Sequence, residues 1–187
     1  LIDAGFSGKR LKTLLAAEGV TPEDLHGVFI THEHSDHSNG VRGLCRRADL
    51  PFFANRDTAK AIQSGLSRRV NWKIFETGLS FEFRGLKISP FALPHDAYDP
   101  VGFLFEWGGS DLFTPYESLA WATDLGFGTS LVREKIRGAR ILVIEANYDE
   151  ELLDRDPRRP WALKQRIKGR HGHLSNRDAF DFLATIE

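Results

Sequence analysis

The chain has 187 residues, of which 41% are hydrophobic and 27% charged, and its formal net charge is −1. These values are typical of a single globular domain with a substantial core, here expected over residues 1–187. The sequence contains no long apolar run, so no membrane span is expected. A nearly neutral chain has no overall attraction to nucleic acid, so any such affinity must be local. The single cysteine, Cys45, cannot form an internal disulfide, which fits a reducing cytoplasm.

The first predicted elements are a strand end and a helix. Residues 1–5, Leu-Ile-Asp-Ala-Gly, are typical of the end of a buried strand followed by a turn, with Asp3 at its exit. Ser7 is a good N-cap for a helix over residues 8–18, and Gly19 is placed to end it. No methionine occurs and the chain opens at what resembles mid-strand, so we expect a fragment of a longer protein.

The densest cluster of metal-ligand side chains follows a short apolar run. Residues 31–37 are Thr-His-Glu-His-Ser-Asp-His, which places three histidines and an aspartate within six residues. Residues two apart in an extended segment project to the same side, so His32 and His34 can bind one cation. Asp36 and His37 come from the turn that leaves the strand. Imidazole and carboxylate donors suit zinc or a similar divalent ion, and four donors in so short a segment indicate two adjacent ions.

Helices and short strands alternate after this motif, which indicates an α/β fold. Helices are predicted over residues 39–48 and 56–64, with a strand over residues 51–54 between them. Residues 67–73, Ser-Arg-Arg-Val-Asn-Trp-Lys, are basic and aromatic. Such a run could contact a phosphate backbone, although it is more often a solvated loop.

Short alternating strands begin near residue 79. A hairpin over residues 81–88 leads to Pro94, which ends a strand and leaves His95 at the rim of the sheet. A third imidazole there can join the site of His32 and His34. Another strand is predicted from residue 101, followed by a turn over residues 108–111 and by an insertion at 112–117 to which we assign no role.

Two later strands also end in polar side chains. Residues 121–126, Trp-Ala-Thr-Asp-Leu-Gly, are typical of a strand that enters a turn, and the carboxylate of Asp124 at its exit can bridge two cations. Residues 141–144 form a buried strand of parallel type, followed by Glu145 and Asn147. Polar residues at such strand ends face the crevice where α/β proteins bind ligands. Glu145 is therefore a candidate to orient a ligand or to pair with a histidine in acid/base chemistry.

The last part of the chain carries a basic stretch and then a histidine. Residues 154–170 hold seven basic and two acidic side chains, which suits either a phosphodiester cradle or a solvated helix face, and their position directly before the next histidine motif favours the cradle. Ser175 and Asp178 form a capping box for a last helix, so His173 lies just before a helix N-terminus, where a phosphate oxygen is favourably held. The expected packing residues of that helix are Ala179, Phe180, Leu183 and Ile186.

These segments together resemble the metallo-β-lactamase superfamily. The histidine motif carries that resemblance. Two further segments are similar to one branch, the YycJ/WalJ-like metallohydrolases: residues 145–147, Glu-Ala-Asn, and residues 172–176, Gly-His-Leu-Ser-Asn. Members of this branch are described as exonucleases. The matching pieces also include residues 1–5, 94–96 and 122–124. The resemblance implies an αββα sandwich that is incomplete at both termini, with the last metal-binding histidine of the superfamily outside this chain.

The resemblance also implies a metal-ligand set and the identity of the ions. One ion would be bound by His32, His34 and His95, and the other by Asp36, His37 and Asp124. The two ions would be zinc or manganese, and a bridging hydroxide between them would attack the substrate.

Catalytic roles are implied for Asp36, His173 and Glu145. His173, oriented by Glu145, would protonate the leaving oxygen of a phosphodiester. Asp3 would orient the metal-binding loop without contacting an ion. Candidate phosphate contacts are Asn147, Ser175, Asn176, Arg166, Lys168 and Arg170.

The implied substrate is nucleic acid, DNA in preference to RNA, degraded by a 5′–3′ exonuclease. Two other interpretations stay open. The same kind of metal centre hydrolyses thioesters and lactones elsewhere in the superfamily, and a truncated metal-binding domain could act through a partner without catalysis. No association with a membrane is expected, and the sequence does not indicate a protein partner.

Overall fold

The computed structural model describes residues 1–109 and 115–186. The chain divides into two compact units: an N-terminal unit, Leu1–Glu76 with Ala97–Asp99, and a C-terminal unit, Thr77–Asp96 with Pro100–Glu187. Each unit has its own sheet and its own cluster of buried apolar side chains. Both units combine strands with helices, so the predicted α/β class is confirmed. The single domain stays a prediction.

The N-terminal unit is a small parallel sheet with helices. Its strands are β1 (Val28–Phe29), β2 (Phe52–Ala54) and β3 (Trp72–Ile74), in the order β1-β2-β3, and both pairs are parallel. Its helices are α1 (Gly8–Ala17), α2 (Ser35–Ser38), α3 (Val41–Leu44) and α4 (Arg56–Ser64), with a 3-10 turn at Pro22–Asp24. Ser7 and Asn55 cap α1 and α4 with their side chains. The predicted helix at residues 56–64 is therefore confirmed.

The structure corrects one predicted helix of this unit and gives one predicted aromatic residue a packing role. The helix expected over residues 39–48 is replaced by the one-turn helices α2 and α3, which are separated at Gly40. A Cβ at Gly40 would lie 2.6 Å from the carbonyl oxygen of Phe6, so the backbone there is held close to residues 4–6. The basic run at residues 67–73 leads into β3, and Trp72 packs on Phe52 with ring centroids 5.9 Å apart. Trp72 is partly buried, and its ring packs against the hydrophobic core of this unit.

The C-terminal unit is a five-stranded sheet with helices. Its strands are β4 (Phe81–Phe83), β5 (Leu86–Ala92), β6 (Val101–Gly108), β7 (Tyr116–Ala122) and β8 (Ile141–Ile144), in sequential order. Neighbouring strands are antiparallel except for the parallel pair β7–β8. The helices are α5 (Ser130–Ile136), α6 (Glu150–Arg155), α7 (Trp161–Ile167) and α8 (Asn176–Leu183). Among the described residues, no helix is long and apolar enough to cross a membrane.

The strand predictions for this unit are largely confirmed. Arg84 and Gly85 both have positive φ, 52° and 80°, which is the conformation that a two-residue hairpin turn between β4 and β5 requires. Strand β8 is parallel as expected, but it is an edge strand, and Ile141 is 48% exposed instead of buried. The turn and the insertion predicted at residues 108–117 fall partly on residues 110–114, which lie outside the described residues.

Helix α8 packs through a different aromatic residue from the one predicted. Ala179 and Phe182 are buried, whereas Phe180 is 71% exposed. The helix begins after the cap at Ser175, and in that register residues three apart share the inner face. The ring of Phe182 also occupies the space that a side chain at Gly128 would need, since a Cβ there would lie 2.1 Å from the ring.

Candidate metal centre

The histidine motif of the N-terminal unit forms a compact group of imidazoles. His32 is buried, and its Nε2 lies 3.0 Å from Nδ1 of His34. The rings of His32 and His37 have centroids 4.2 Å apart. Asp36 lies in the first turn of α2 with a side chain that is 80% exposed, and its Oδ2 is 3.8 Å from Nε2 of His37. The three predicted imidazole ligands of this segment are therefore close together, and Asp36 is beside them.

Asp3 binds this segment through three hydrogen bonds. Its carboxylate accepts from the backbone N–H of Thr31 at 2.8 Å, from the Thr31 hydroxyl at 2.9 Å, and from Nδ1 of His37 at 2.7 Å. A carboxylate on Nδ1 fixes the tautomer of an imidazole and leaves Nε2 as its metal-binding nitrogen. The hydroxyl of Thr31 also lies 2.9 Å from Nδ1 of His32. Asp3 thus has the contacts that its predicted orienting role requires.

Close backbone packing holds the same segment in place. A Cβ at Gly5 would lie 1.4 Å from the carbonyl oxygen of Asp36, so only glycine allows this approach. The N–H of Ala4 donates to the carbonyl of His37 at 2.7 Å, and the N–H of Gly40 donates to the carbonyl of Ala4 at 2.6 Å. Residues 1–5 therefore support α2 directly.

The C-terminal unit has a second group of metal-binding side chains. His95, Asp124 and His173 each offer one ligand atom, and these atoms lie within 4.8 Å of one another. His95 is buried and its Nδ1 lies 3.0 Å from the carbonyl oxygen of Gly172, which leaves Nε2 as the metal-binding nitrogen. Burial lowers the pKa of His95 and favours the neutral imidazole that metal binding needs. The chemistry of this donor set, two nitrogens and a carboxylate, fits a divalent ion.

Glu145 holds His173 within this group. Nδ1 of His173 lies 2.9 Å from Oε2 of Glu145 and 3.4 Å from Oδ1 of Asp124. The other oxygen of Glu145 accepts from the backbone N–H groups of Leu125 and Leu174, at 2.7 and 3.1 Å. The hydrogen bond that Nδ1 of His173 donates to Glu145 raises the pKa of His173 despite its partial burial. The predicted pairing of a carboxylate with this histidine is present.

A family model described as a β-lactamase superfamily domain matches residues 1–187. The chain belongs to this superfamily. It is 35% identical over 188 residues to an exodeoxyribonuclease YycJ of Bacillus anthracis, covering 100% of the chain and 68% of the relative. It is 37% identical over 182 residues to an exodeoxyribonuclease WalJ of Streptococcus pneumoniae serotype 2 (strain D39 / NCTC 7466), covering 95% and 65%. The predicted superfamily and branch are confirmed.

A solved structure agrees on the fold. Zn²⁺-bound PqqB from Methylobacterium extorquens matches with a TM-score of 0.69 and 19% sequence identity, covering 100% of this chain and 66% of that one. The metallo-β-lactamase fold protein YhfI from Bacillus subtilis also matches, with a TM-score of 0.67 and 17% sequence identity, covering 97% of this chain and 66% of that one, which confirms the metallo-β-lactamase fold. The chain spans about two thirds of the length of the curated relatives it matches. Proteins of this superfamily typically bind divalent metals, and the histidine and aspartate group of the C-terminal unit is suited to that.

Three of the predicted phosphate contacts lie near Glu145 and the start of α8, and one of them, Ser175, is the cap of that helix. The hydroxyl of Ser175 is buried and caps α8, where it accepts from the N–H of Asp178 at 3.0 Å and donates to its carboxylate at 2.7 Å. Asn147 binds the carbonyl of Leu174 through its N–H, and its side-chain amide lies 3.5 Å from Glu145. The side chain of Asn176 is exposed, and its N–H donates to the carbonyl of Tyr148. Ser175 is a structural cap because its hydroxyl is already satisfied.

The basic stretch is largely paired with acidic groups. Nε of Arg166 lies 2.5 Å from Asp96, and Nζ of Lys168 lies 2.6 Å from Asp154. Arg170 stacks over the ring of Phe127, with its guanidinium carbon 4.1 Å from the centroid. Arg158 and Arg159 both bind Asp156. The stretch therefore has less excess positive charge than its composition suggests.

Two functional candidates were not identified from the sequence. Asp96 follows His95, with Oδ1 3.4 Å from the Nε2 of that histidine, and it also binds Arg166. Glu33 lies between His32 and His34 and accepts a hydrogen bond from the N–H of Tyr98 at 3.0 Å. The only signal for either residue was its position next to a predicted ligand.

Proposed function

We propose that this chain is a metal-dependent phosphodiesterase that removes nucleotides from nucleic-acid ends as a 5′–3′ exonuclease, with DNA preferred to RNA. The observation that carries the proposal is the pair of Glu145 and His173 beside Asp124, because such a pair can protonate a poor leaving group. Exodeoxyribonuclease is also the printed name of the two similar relatives. The nearly neutral chain requires local contacts with phosphate, and a reducing cytoplasm is the proposed location because Cys45 is a free cysteine.

The proposed ligands are those that the sequence resemblance implies. They are His32, His34 and His95 for one divalent ion and Asp36, His37 and Asp124 for the other. Two zinc or manganese ions would supply Lewis acidity toward the phosphate oxygens and an activated water. The supporting observation is that the Nδ1 atoms of His37 and His95 have fixed oxygen partners, so that Nε2 is the nitrogen available to an ion.

His173 is proposed as the general acid for the leaving oxygen. Its Nδ1 is bound by Glu145, so Nε2 carries the proton toward the substrate. Glu145 cannot turn away easily because two backbone N–H groups hold its other oxygen. Protonation of a leaving alkoxide should contribute roughly 10²–10⁴-fold to the rate.

The test is the variant His173→Ala, assayed with manganese or zinc on a 5′-labelled single-stranded DNA and on a small phosphodiester. We expect turnover to fall by roughly 10²–10⁴-fold while the metal content stays near that of the wild type. His171→Ala is the matched control, since His171 is an exposed histidine two residues away, and it should retain activity. Loss of metal in His173→Ala would instead make His173 a ligand, which its distance from Asp124 allows.

The same assay separates the other classes of function. Hydrolysis of a thioester or a lactone, with no cleavage of either phosphodiester, would overturn the proposal in favour of an acyl hydrolase. A metal-loaded chain with neither activity would be a non-catalytic metal-binding domain.

A further inference from the structure

Tyr98 combines an exposed ring with a fixed backbone. Its side chain is 75% exposed and lies in residues 97–99 of the N-terminal unit. Its N–H donates to Oε1 of Glu33 at 3.0 Å, and the carbonyl of the next residue, Asp99, accepts from the side-chain amide of Asn55 at 2.6 Å. Asn55 is buried and caps α4 through the N–H of Thr58. The ring is therefore presented to solvent from a well-supported position.

The support for Tyr98 is part of the histidine motif. Glu33 stands between the predicted ligands His32 and His34, so one hydrogen bond joins the metal-binding segment to the backbone that carries the ring. The other carboxylate oxygen of Glu33 is buried and has no hydrogen-bond partner among the described residues. Burying a carboxylate is costly unless its oxygens are hydrogen-bonded, so the bond from the Tyr98 N–H is the one that offsets part of this cost for Glu33.

A small pocket lies beside the ring. Its volume is about 260 Å³, and it is lined by Asp57, Lys60, Ala61 and Ser64 of α4 together with Tyr98. This is slightly below the usual size of ligand pockets, roughly 300–1,000 Å³, and suits one planar group. Lys60 is exposed and forms no ion pair with any residue that the structure describes. The pocket thus offers an aromatic face, a cation and a carboxylate that can accept from an amino group.

We propose that Tyr98 is a stacking platform for an unpaired nucleobase of single-stranded nucleic acid, with Lys60 contacting a neighbouring phosphate. The inference rests on the proposed function and adds to it the form of the substrate. A base within a duplex is already stacked and paired, so only an unpaired base can offer its face to Tyr98. Stacking tolerates every base, which suits degradation without sequence preference.

The test combines Tyr98→Ala with single base deletions in the ligand. The probe is a short fluorescent oligodeoxynucleotide with hydrolysis-resistant phosphorothioate linkages, and its RNA counterpart is a second arm. Dissociation constants are measured by anisotropy on the metal-loaded chain, first with the intact strand and then with one abasic nucleotide at each position in turn. We expect Tyr98→Ala to weaken binding of the intact strand by roughly 5- to 150-fold. The effect should vanish when one particular base is absent.

Two control variants keep the result interpretable. Tyr98→Phe retains a stacking ring and should bind like the wild type. Phe180→Ala removes another exposed aromatic, 71% exposed on α8, and should not change binding. Lys60→Gln should weaken binding by the same factor with the abasic and the intact strand, because its partner is a phosphate.

Each outcome has a distinct meaning. If Tyr98→Ala binds and degrades single-stranded DNA like the wild type, the inference is wrong and the proposed function stands. The inference would also be wrong if Tyr98→Ala weakened binding by the same factor whichever base is absent, since the ring would then not contact a base. A wild-type chain that neither binds nor cleaves the strand would overturn the proposed function and this inference together.

Discussion

Two of the chemically important residues have backbone conformations that most side chains avoid. Asp3 and Asp124 have φ values of 52° and 59°, in the left-handed region. Aspartate and asparagine tolerate this region better than other residues with a Cβ, and such strain often accompanies functional sites. Asp3 contacts His37, and Asp124 lies near His173. In each unit the strained carboxylate therefore belongs to the group of predicted metal-site residues.

Replacement of Asp3 by asparagine tests its orienting role. Asparagine keeps the tolerance for positive φ, but it lacks the negative charge that binds Nδ1 of His37. We expect the affinity for zinc to fall by roughly 10- to 100-fold, the usual effect of losing the hydrogen-bond partner of a metal ligand. Competition with a chromophoric chelator measures it.

The matched control for that experiment is Asp49→Asn, since Asp49 is an exposed aspartate bound to Arg47. It should leave the affinity for zinc unchanged. Wild-type affinity in Asp3→Asn would show that Asp3 only completes a strand end, because its charge would then contribute nothing to the ligand.

The site residues that the sequence revealed are those that cluster along the chain. The spacing of His32, His34 and His37 indicates a metal site. The helix cap that follows His173 indicates a position suited to binding phosphate. Asp96 and Glu33 were missed because their partners, Arg166 and Tyr98, lie 70 and 65 residues away in sequence. No local pattern encodes such a pairing.

Secondary structure was predictable where local signals agree. Helix α4 has an N-cap at Asn55 and ends at Gly65, and the β4–β5 turn has glycine where positive φ is needed. The exposed Phe180 and Ile141 were expected to be buried, because hydrophobicity alone does not tell which face of a helix is covered or which strand forms an edge. Those features depend on tertiary packing.

The sheet of the C-terminal unit has a polar cluster across three strands. Glu106 on β6 accepts from the hydroxyl of Tyr116 at 2.5 Å and pairs with Nζ of Lys87 at 3.0 Å. Partial burial acts to raise the pKa of Glu106, but the hydrogen bonds from Tyr116 and Lys87 outweigh it and lower that pKa. The same contact raises the pKa of Tyr116 to about 12.

Glu106→Gln should therefore lower stability in a pH-dependent way. Because the folded-state pKa of Glu106 is depressed, its contribution is present above its unfolded value, roughly 4.3, and is lost as the pH falls through the folded value. We expect the free energy of unfolding at neutral pH to drop by about 0.5–1.5 kcal/mol. Urea denaturation of both proteins at neutral and acidic pH measures the difference, which should shrink in acid. A constant difference would mean that the carboxylate charge is not what stabilises the strands.

At the scale of the whole molecule, charge sets a limit on how nucleic acid could be bound. The net charge is −1, and most of the basic stretch is engaged by Asp96, Asp154 and Asp156. Few phosphates can then be neutralised at once, so salt should weaken binding less steeply than for a protein with a continuous basic surface. In the proposed function, recognition would then depend on the proposed metal ions, on stacking and on a few local cations.

Metal binding should stabilise the whole chain if the proposed ligands hold their ions only when folded. A ligand at 100 times its dissociation constant adds about 2.7 kcal/mol, which for a chain of this size corresponds to a rise in Tm of roughly 5–10 °C. We expect about two ions per chain by elemental analysis, and fewer ions with a smaller rise in Tm for His32→Ala and Asp124→Asn. His26→Ala is the control, since His26 is exposed and lies outside the motif. One ion or none in the wild type would contradict the dinuclear assignment for this chain, and would indicate that the second site needs the histidine that the resemblance places outside it.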